Sequence, residues 1–257
     1  MFWQFKLATV ALIVLLSGCN RSARDNKVYV LAASSTEQVF RELEEVFESQ
    51  HPGIDIVIST GPSNALAQQI INGSRANIFF SASPVWTSEI AQSDLTLQPI
   101  DIVGNQLVLV TSPQSEIQFE SFQQFQEAVS TNDWIVSIGG NNVPLGEYSQ
   151  QALGKNLFEL LVEQKRLVRG TDARSTLAYV ARGEVDCGLV YSTDARSADQ
   201  VQLLLTIPAD QHDEIVYSIL NTNDLEPQAT NEFLKFIKSP EARSIWEQAG
   251  FKWLDSQ

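Results

Sequence analysis

Five short loops carry the residue types best suited to chemistry: Ser34-Ser35-Thr36, Ser63-Asn64, Val143-Pro144-Leu145-Gly146-Glu147-Tyr148, Asp172-Ala173-Arg174 and Val190-Tyr191-Ser192-Thr193-Asp194. The first two each follow an apolar strand-like run and open a helical pattern. In parallel α/β sheets, ligands collect at the carboxyl ends of strands, beside helix N-termini. Free backbone N–H groups and the helix dipole favour an anion there, and a hydroxyl adds a donor without adding charge. The same serines also suit plain helix N-caps, and the two roles are compatible. In the third loop, proline fixes one backbone angle and glycine frees the next, so successive N–H groups can face one point. Tyr191, at a strand end, either donates its phenol proton into a cleft or fills space.

Signatures of catalysis are missing. The sequence has no G-x-S-x-G, no G-x-x-x-x-G-K-[ST] and no G-x-G-x-x-G. His51 and His212 sit in turns without metal-ligand spacing and read as solvated surface side chains. No nucleophile is paired with a base, so the chain is expected not to be an enzyme, and no bound metal or cofactor is expected. Acids such as Glu42, Glu44 and Glu45 fall on solvated helix faces. The formal charge of −14 argues against nucleic acid, whose binding rests on phosphate neutralisation. A small anion is compatible with it, since neutral donors can build the site and distant charge is screened.

The elements that position these loops alternate strand and helix, the pattern of a largely parallel α/β fold. Strands are expected at Val28–Ala32, Ile54–Ile58, Asn77–Phe80, Leu107–Val110, Trp134–Ile138, Val185–Val190, Gln202–Ile207 and Ile215–Leu220. One helix runs from a Ser34 or Ser35 cap to about Gln50, with Val39, Phe40, Leu43, Val46 and Phe47 inward. His51-Pro52-Gly53 stops it. After a turn at Gly61-Pro62, a second helix turns Leu66, Ile70 and Ile71 inward. Others follow at Val143–Leu153 and Ala173–Arg182. Two more close the chain, anchored by Phe233, Phe236, Ile237, Ile245 and Trp246. This many strands divide naturally into two lobes, each with its own sheet: 27–104 with 215–257, and 105–214.

At the amino end, Lys6 precedes an apolar run from Leu7 to Leu16. Such a run is too short for a bilayer of ~30 Å, which needs ~20 residues, and fits a secretory signal. Leu16-Ser17-Gly18-Cys19 then resembles the lipobox of bacterial lipoproteins. This resemblance implies a signal peptide over 1–18, a diacylglycerol on the Cys19 thiol, and a polar tether over 19–26. Loss of residues 1–18 removes Lys6 and no acid, so the exported chain is one unit more negative. With Cys19 acylated, Cys187 has no disulfide partner, and its strand-like surroundings mark a small buried thiol.

Taken in order, the loops resemble the molybdate-binding proteins of ABC importers over nearly the whole exported chain. Leu31-Ala32-Ala33-Ser34-Ser35 is similar to that family's Ala-Ala-Ser. Gly61-Pro62-Ser63-Asn64-Ala65-Leu66-Ala67-Gln68-Gln69-Ile70 resembles Gly-Ser-Ser-Gly-x-Leu-x-x-Gln-Ile. Gly73 through Ala82, Gly104 through Val110 and Val143-Pro144-Leu145-Gly146-Glu147-Tyr148 match further segments. Gly183 through Ala195 follows Gly-Glu-Ala-Asp-Ala-Gly-x-Val-Tyr-x-Thr-Asp-Ala.

The resemblance implies a type II periplasmic binding protein fold of two lobes, each a mainly parallel sheet flanked by helices, joined by a hinge near Gly104–Gln106 and Asp213–Val216. It implies molybdate or tungstate held between the lobes by neutral donors. Ser34 and Ser63 would supply hydroxyls and N–H groups, Leu145 and Ala173 backbone N–H groups, and Tyr191 its phenol. The implied partner is an ABC permease, outside the cytoplasm, with the membrane reached only through the lipid; a monomer suffices for one ligand in one cleft. Departures are Leu145 in place of Ala, Ala173 in place of Val, Pro62, and Asn77 in place of an acid. Sulfate, phosphate or ferric ion on the same fold, or a sensor or scaffold lipoprotein, are the competing readings. A protonated phosphate calls for an acceptor carboxylate, Asp172 or Glu147, facing the ligand. Iron calls for tyrosine pairs and acids.

Overall fold

The structure, a computed structural model, describes residues 26–93, 97–222 and 228–255; Cys19 and the signal-like segment lie outside them. From the amino end, β1 (Lys27–Ala33) leads through one 3-10 turn (Ser34–Thr36) into α1 (Glu37–Gln50). Next come β2 (Asp55–Gly61), α2 (Ser63–Ile71), β3 (Ile78–Ser81), α3 (Pro84–Ser93) and β4 (Ile100–Asn105). A second series runs β5 (Leu107–Thr111), α4 (Phe122–Thr131), β6 (Val136–Gly139), α5 (Pro144–Glu163), β7 (Leu167–Gly170), α6 (Ala173–Ala181), β8 (Cys187–Tyr191), α7 (Ser192–Arg196) and β9 (Gln202–Thr206). The chain closes with β10 (Ile215–Asn221), α8 (Gln228–Ile237), α9 (Pro240–Gln248) and β11 (Lys252–Trp253).

Two sheets result, ordered β11-β4-β10-β3-β1-β2 and β7-β6-β8-β5-β9. β1 runs parallel to β2 and β3, and β6 parallel to β7 and β8, whereas β10 and β5 run antiparallel to their neighbours. The chain passes between sheets at Gln106 and again through 207–214. Helices flank each sheet, the α/β architecture expected from the pattern of runs.

Burial follows the strand order. β3, β5, β6 and β8 are buried along their whole length, as strands covered on both faces must be. On α1, Val39, Phe40, Leu43 and Phe47 face the core, with Val46 half-buried. Phe40, Phe80, Trp246, Tyr217 and Phe251 form an aromatic cluster joining α1, β3, α9 and β10, with centroids 5.1–6.0 Å apart. Each such pair contributes about 0.5–1.5 kcal/mol beyond its buried area. Cys187 is fully buried in β8, as its neighbours implied.

Several expectations need correction. Neither Ser34 nor Ser35 caps α1: they form the 3-10 turn, and Thr36 occupies the N-cap without a side-chain cap bond. Ile71 is 44% exposed because it ends α2, past the buried stripe of Leu66 and Ala67. The strand continues through Gly61, leaving Pro62 alone as the N-cap of α2. α5 runs on to Glu163, because Gly154, at φ 71°, lets two helices join at a kink. His51 is half-buried, stacked on Phe47 at 4.1 Å and bonded through Nδ1 to the Phe47 carbonyl at 3.0 Å. Asn77 is buried for a structural reason: its Oδ1 accepts the Tyr29 N–H at 2.9 Å, bracing β1.

Candidate functional site

Six segments converge where the two sheets face each other. A cavity of about 10 Å³ is lined by Ala33, Ser34, Ser35, Gly61, Pro62, Ser63 and Ala82 from one sheet's loops, and by Val143, Pro144, Leu145, Ala173 and Tyr191 from the other's. All five residues singled out in the sequence, Ser34, Ser63, Leu145, Ala173 and Tyr191, thus border one space. No charged side chain lines it among the described residues.

The helices point their N-termini at this cleft. Ser63 is the first residue of α2, Pro144 and Leu145 open α5, Ala173 opens α6, and Ser192 follows Tyr191 into α7. First-turn N–H groups have no intrahelical acceptor, and a side-chain cap normally serves them. Here Pro62, Val143 and Tyr191 occupy the N-caps of α2, α5 and α7, and none forms a side-chain cap bond. Of these four helices, α6 carries a side-chain cap, the Asp172 carboxylate on the Ser175 N–H at 2.8 Å in a capping box, and the first N–H of α7, on Ser192, is taken by the Gln106 carbonyl at 2.8 Å, which leaves α2 and α5 open. Uncapped N-termini gathered in a buried cleft make a positive, uncharged surface suited to an anion.

Close packing holds these termini in place. A Cβ on Gly146 would stand 2.2 Å from the Gly140 carbonyl oxygen, so only glycine lets the first turn of α5 lie on the end of β6. A Cβ on Gly170 would stand 2.2 Å from Thr176 Oγ1, so the same holds for α6.

The hydroxyls are poised as donors. Ser63 Oγ accepts the Ala82 N–H at 3.1 Å, which leaves its own proton for the cleft. Tyr191 is 1% exposed, and its Oη has no hydrogen-bond partner among the described residues. Burial pushes the Tyr191 phenol well above its ordinary value, and the neighbouring Tyr217, Tyr148, Asp194 and Glu147 add to the rise. Tyr191 therefore keeps its proton, and a buried hydroxyl without an acceptor is costly unless a ligand supplies one.

The acids stay out of the cleft. Asp172 is committed to its cap, and Glu147 borders a separate surface hollow with Asn141 and Arg169. The acceptor carboxylate that a protonated phosphate needs is therefore absent from the lining among the described residues. No group of three or more His, Cys, Asp or Glu side chains could hold a metal ion among those residues either. A larger cavity, about 290 Å³, adjoins the same turn: Ser34 and Ser35 line it as well as the cleft, together with Arg174, Asp194, Arg196 and Glu42. Its mixture of guanidiniums and carboxyls contrasts with the uncharged lining of the smaller cleft.

Contacts across the cleft hold the walls together. Arg174 of α6 pairs with Glu37 of α1, and Tyr148 of α5 bonds the Ser83 side chain beyond β3. Burial pushes the Tyr148 phenol up to about 12, its Ser83 bond lowers it, and the Glu147 and Asp213 charges raise it. At the crossing, Asn105 Nδ2 donates to Thr193 Oγ1 at 2.9 Å and to Tyr217 Oη at 3.3 Å, and its Oδ1 accepts from Ser192 Oγ at 2.9 Å. The sequence singled out Gly104-Asn105-Gln106 only as a junction. Nothing in it paired Asn105 with Tyr217, 112 positions away.

A family model described as a bacterial extracellular solute-binding protein matches residues 28–252. The chain belongs to this family. Among solute-binding relatives, it is 33% identical over 251 residues to the molybdate-binding protein ModA of Haemophilus influenzae, covering 96% of this chain and 98% of that one. It is 32% identical to YvgL of Bacillus subtilis, described as a putative ABC transporter substrate-binding lipoprotein, over 98% and 99% of the two chains. The periplasmic molybdate-binding protein of Azotobacter vinelandii superposes with a TM-score of 0.74 at 24% identity, over 90% of this chain and 100% of that one. The periplasmic binding protein fold expected of the solute-binding family is the fold observed.

Proposed function

We propose that this chain is an extracytoplasmic solute-binding protein that captures molybdate or tungstate between its two sheets and presents it to an ABC permease. The observation that carries this reading is the convergence of the uncapped N-termini of α2 and α5 and the unpartnered Tyr191 hydroxyl on a cleft lined by no charged side chain. Molybdate and tungstate carry no proton at neutral pH, so a wall made only of donors suits them. Ser34 and Ser63 supply hydroxyl and backbone donors from one side. Leu145 and Ala173 supply backbone N–H groups and Tyr191 its phenol from the other. Similarity to ModA over nearly its full length supports the choice of oxyanion. The site needs no cofactor and performs no bond-making, so the protein is a carrier and not an enzyme.

The lobes of this reading are 27–104 with 215–257, and 105–214, hinged at Gly104–Gln106 and Asp213–Val216. A cavity of about 10 Å³ has room for about one water, so a tetrahedral oxyanion enters only when the walls part. The ligand then shifts the population toward a closed form that the permease recognises. One monomer contains the whole site. Cys19 anchors the chain to the outer face of the membrane through lipid, with 20–26 as tether. Small-angle scattering with and without molybdate tests the hinge. A ligand-induced decrease in radius of gyration is expected, and a profile unchanged at saturating molybdate would overturn closure.

A further inference from the structure

One carboxyl between the two halves of the molecule is buried without a partner. Asp194 of α7 is 7% exposed, and its Oδ2 is shielded from solvent with no hydrogen-bond partner among the described residues. It lines the cavity of about 290 Å³, whose walls come from both halves: Arg174 and Arg196 of α6 and α7 on one side, Glu42 of α1 and Phe251 beyond α9 on the other. The turn after α9 presses on α7, since a Cβ on Gly250 would stand 3.3 Å from Arg196 Cδ. Arg174, the cation whose charge acts on Asp194, is committed elsewhere: it crosses to Glu37 of α1, whose Oε2 also accepts from Thr60 Oγ1 at 3.0 Å. A buried carboxylate without a partner is costly, and such a group takes up a proton instead. Burial pushes Asp194 up to about 8, the Arg174 charge lowers it and the Asp172 charge raises it. Glu42 and Arg196 border the same cavity, and the Tyr191 and Tyr217 phenols, kept protonated by burial, also face the Asp194 charge. The α9 side brings only the uncharged Gln248, Ala249 and Phe251.

We infer that Arg174 is a two-position switch: it bonds Glu37 while the walls are together and Asp194 when they part, so that opening releases a proton from Asp194. The cavity gives the guanidinium room to turn. Parting the walls takes Glu37 away from Arg174 and admits water to Asp194, and both changes favour the carboxylate. The closed form therefore holds the Arg174–Glu37 pair and a proton on Asp194. The open form holds an Arg174–Asp194 pair and a solvated Glu37, and the proton has passed to water. Asp194 binds its proton more tightly in the closed form, so closure is favoured at low pH and that preference is lost as pH rises to about 8. Within that range each pH unit shifts the balance toward opening by up to about tenfold. A bound ligand leaves through the open form, so its release accelerates with pH. The inference rests on the oxyanion reading above and concerns how the cleft is held shut.

The test loads the protein with radioactive molybdate and follows its loss into excess unlabelled molybdate at a series of pH values from about 6 to about 9. The parent, Asp194→Asn and Glu37→Gln are compared, with thermal unfolding of each as the control for folding. Release from the parent is expected to accelerate by about tenfold or more up to pH 8 and to level off above it. Asp194→Asn, which mimics the protonated acid, is expected to release at one slow rate throughout. Glu37→Gln is expected to release faster than the parent at the lowest pH and to depend less on pH, because Arg174 is already free to pair with Asp194. Release from the parent that does not change with pH overturns the proton coupling. A parent-like pH profile in Asp194→Asn overturns the role of that carboxyl, and one in Glu37→Gln overturns the exchange of partners by Arg174. A parent protein that retains no molybdate overturns the oxyanion reading itself, an outcome distinct from retention with pH-independent release.

Discussion

Replacing Tyr191 with phenylalanine removes one oxygen and separates binding from stability. In the free protein the Tyr191 hydroxyl is buried and unpartnered, and an unsatisfied buried group costs about 1–3 kcal/mol. Its removal should therefore leave the ligand-free protein as stable as the parent or more so, and a gain of 1 kcal/mol raises the melting midpoint by about 2–4 °C at this size. With the oxyanion bound, the same hydroxyl donates to a charged acceptor, a bond contributing about 1.5–3 kcal/mol. The variant should thus lose affinity by about 10- to 150-fold. The pair of measurements is calorimetric titration with molybdate and thermal unfolding without it. A variant that melts lower and binds as tightly as the parent would refute the reasoning, because it would make the phenol a packing group.

Other predictions follow from buried groups near the cleft. Burial pushes Asp194 up to about 8, offset by the Arg174 charge and raised further by Asp172. Its folded value lies above the ordinary 3.8, so its contribution to stability is complete below about pH 4 and is lost as pH rises to about 8. Within that window this group alone lowers stability by about 1.4 kcal/mol per pH unit. Asp194→Asn should melt progressively higher than the parent between pH 4.5 and 8, and a constant gap across that range would contradict the assignment. Gly146→Ala should cost about 1–3 kcal/mol by overpacking against Gly140 and weaken oxyanion binding as α5 shifts; denaturant unfolding and titration read both effects, and parent-like values in both would contradict the packing argument.

The elements with strong periodicity were legible in the sequence: β1, α1, β3, β5, β8, α8 and α9 all stand where apolar runs and spacing put them. α4 went unread, although Ser121 caps it and Phe122, Phe125 and Val129 recur at helical intervals on its buried face. β7 is short, with Arg169 inside it and Arg166 just before, so alternation gave no clear signal. The loops that form the cleft stood out by their place at strand ends before helices, but a serine there also suits an N-cap and a tyrosine also fills space, so it was the family resemblance that singled out one residue in each. What hid was pairing over long range: Asn105 with Tyr217, Ser63 with Ala82, Tyr148 with Ser83. Those contacts depend on how two sheets face each other, which local pattern does not encode. The expected Ser34 cap also failed for a physical reason, since the tight 3-10 turn carries that serine into the cleft wall.

The most direct test of the central claim is calorimetric titration of the protein with molybdate, tungstate, sulfate and phosphate under one set of conditions. A cleft lined by no charged side chain predicts tight one-to-one binding of molybdate and tungstate, with phosphate rejected for want of an acceptor carboxylate. Binding of phosphate as tight as that of molybdate, or no binding of any of the four, would contradict the account.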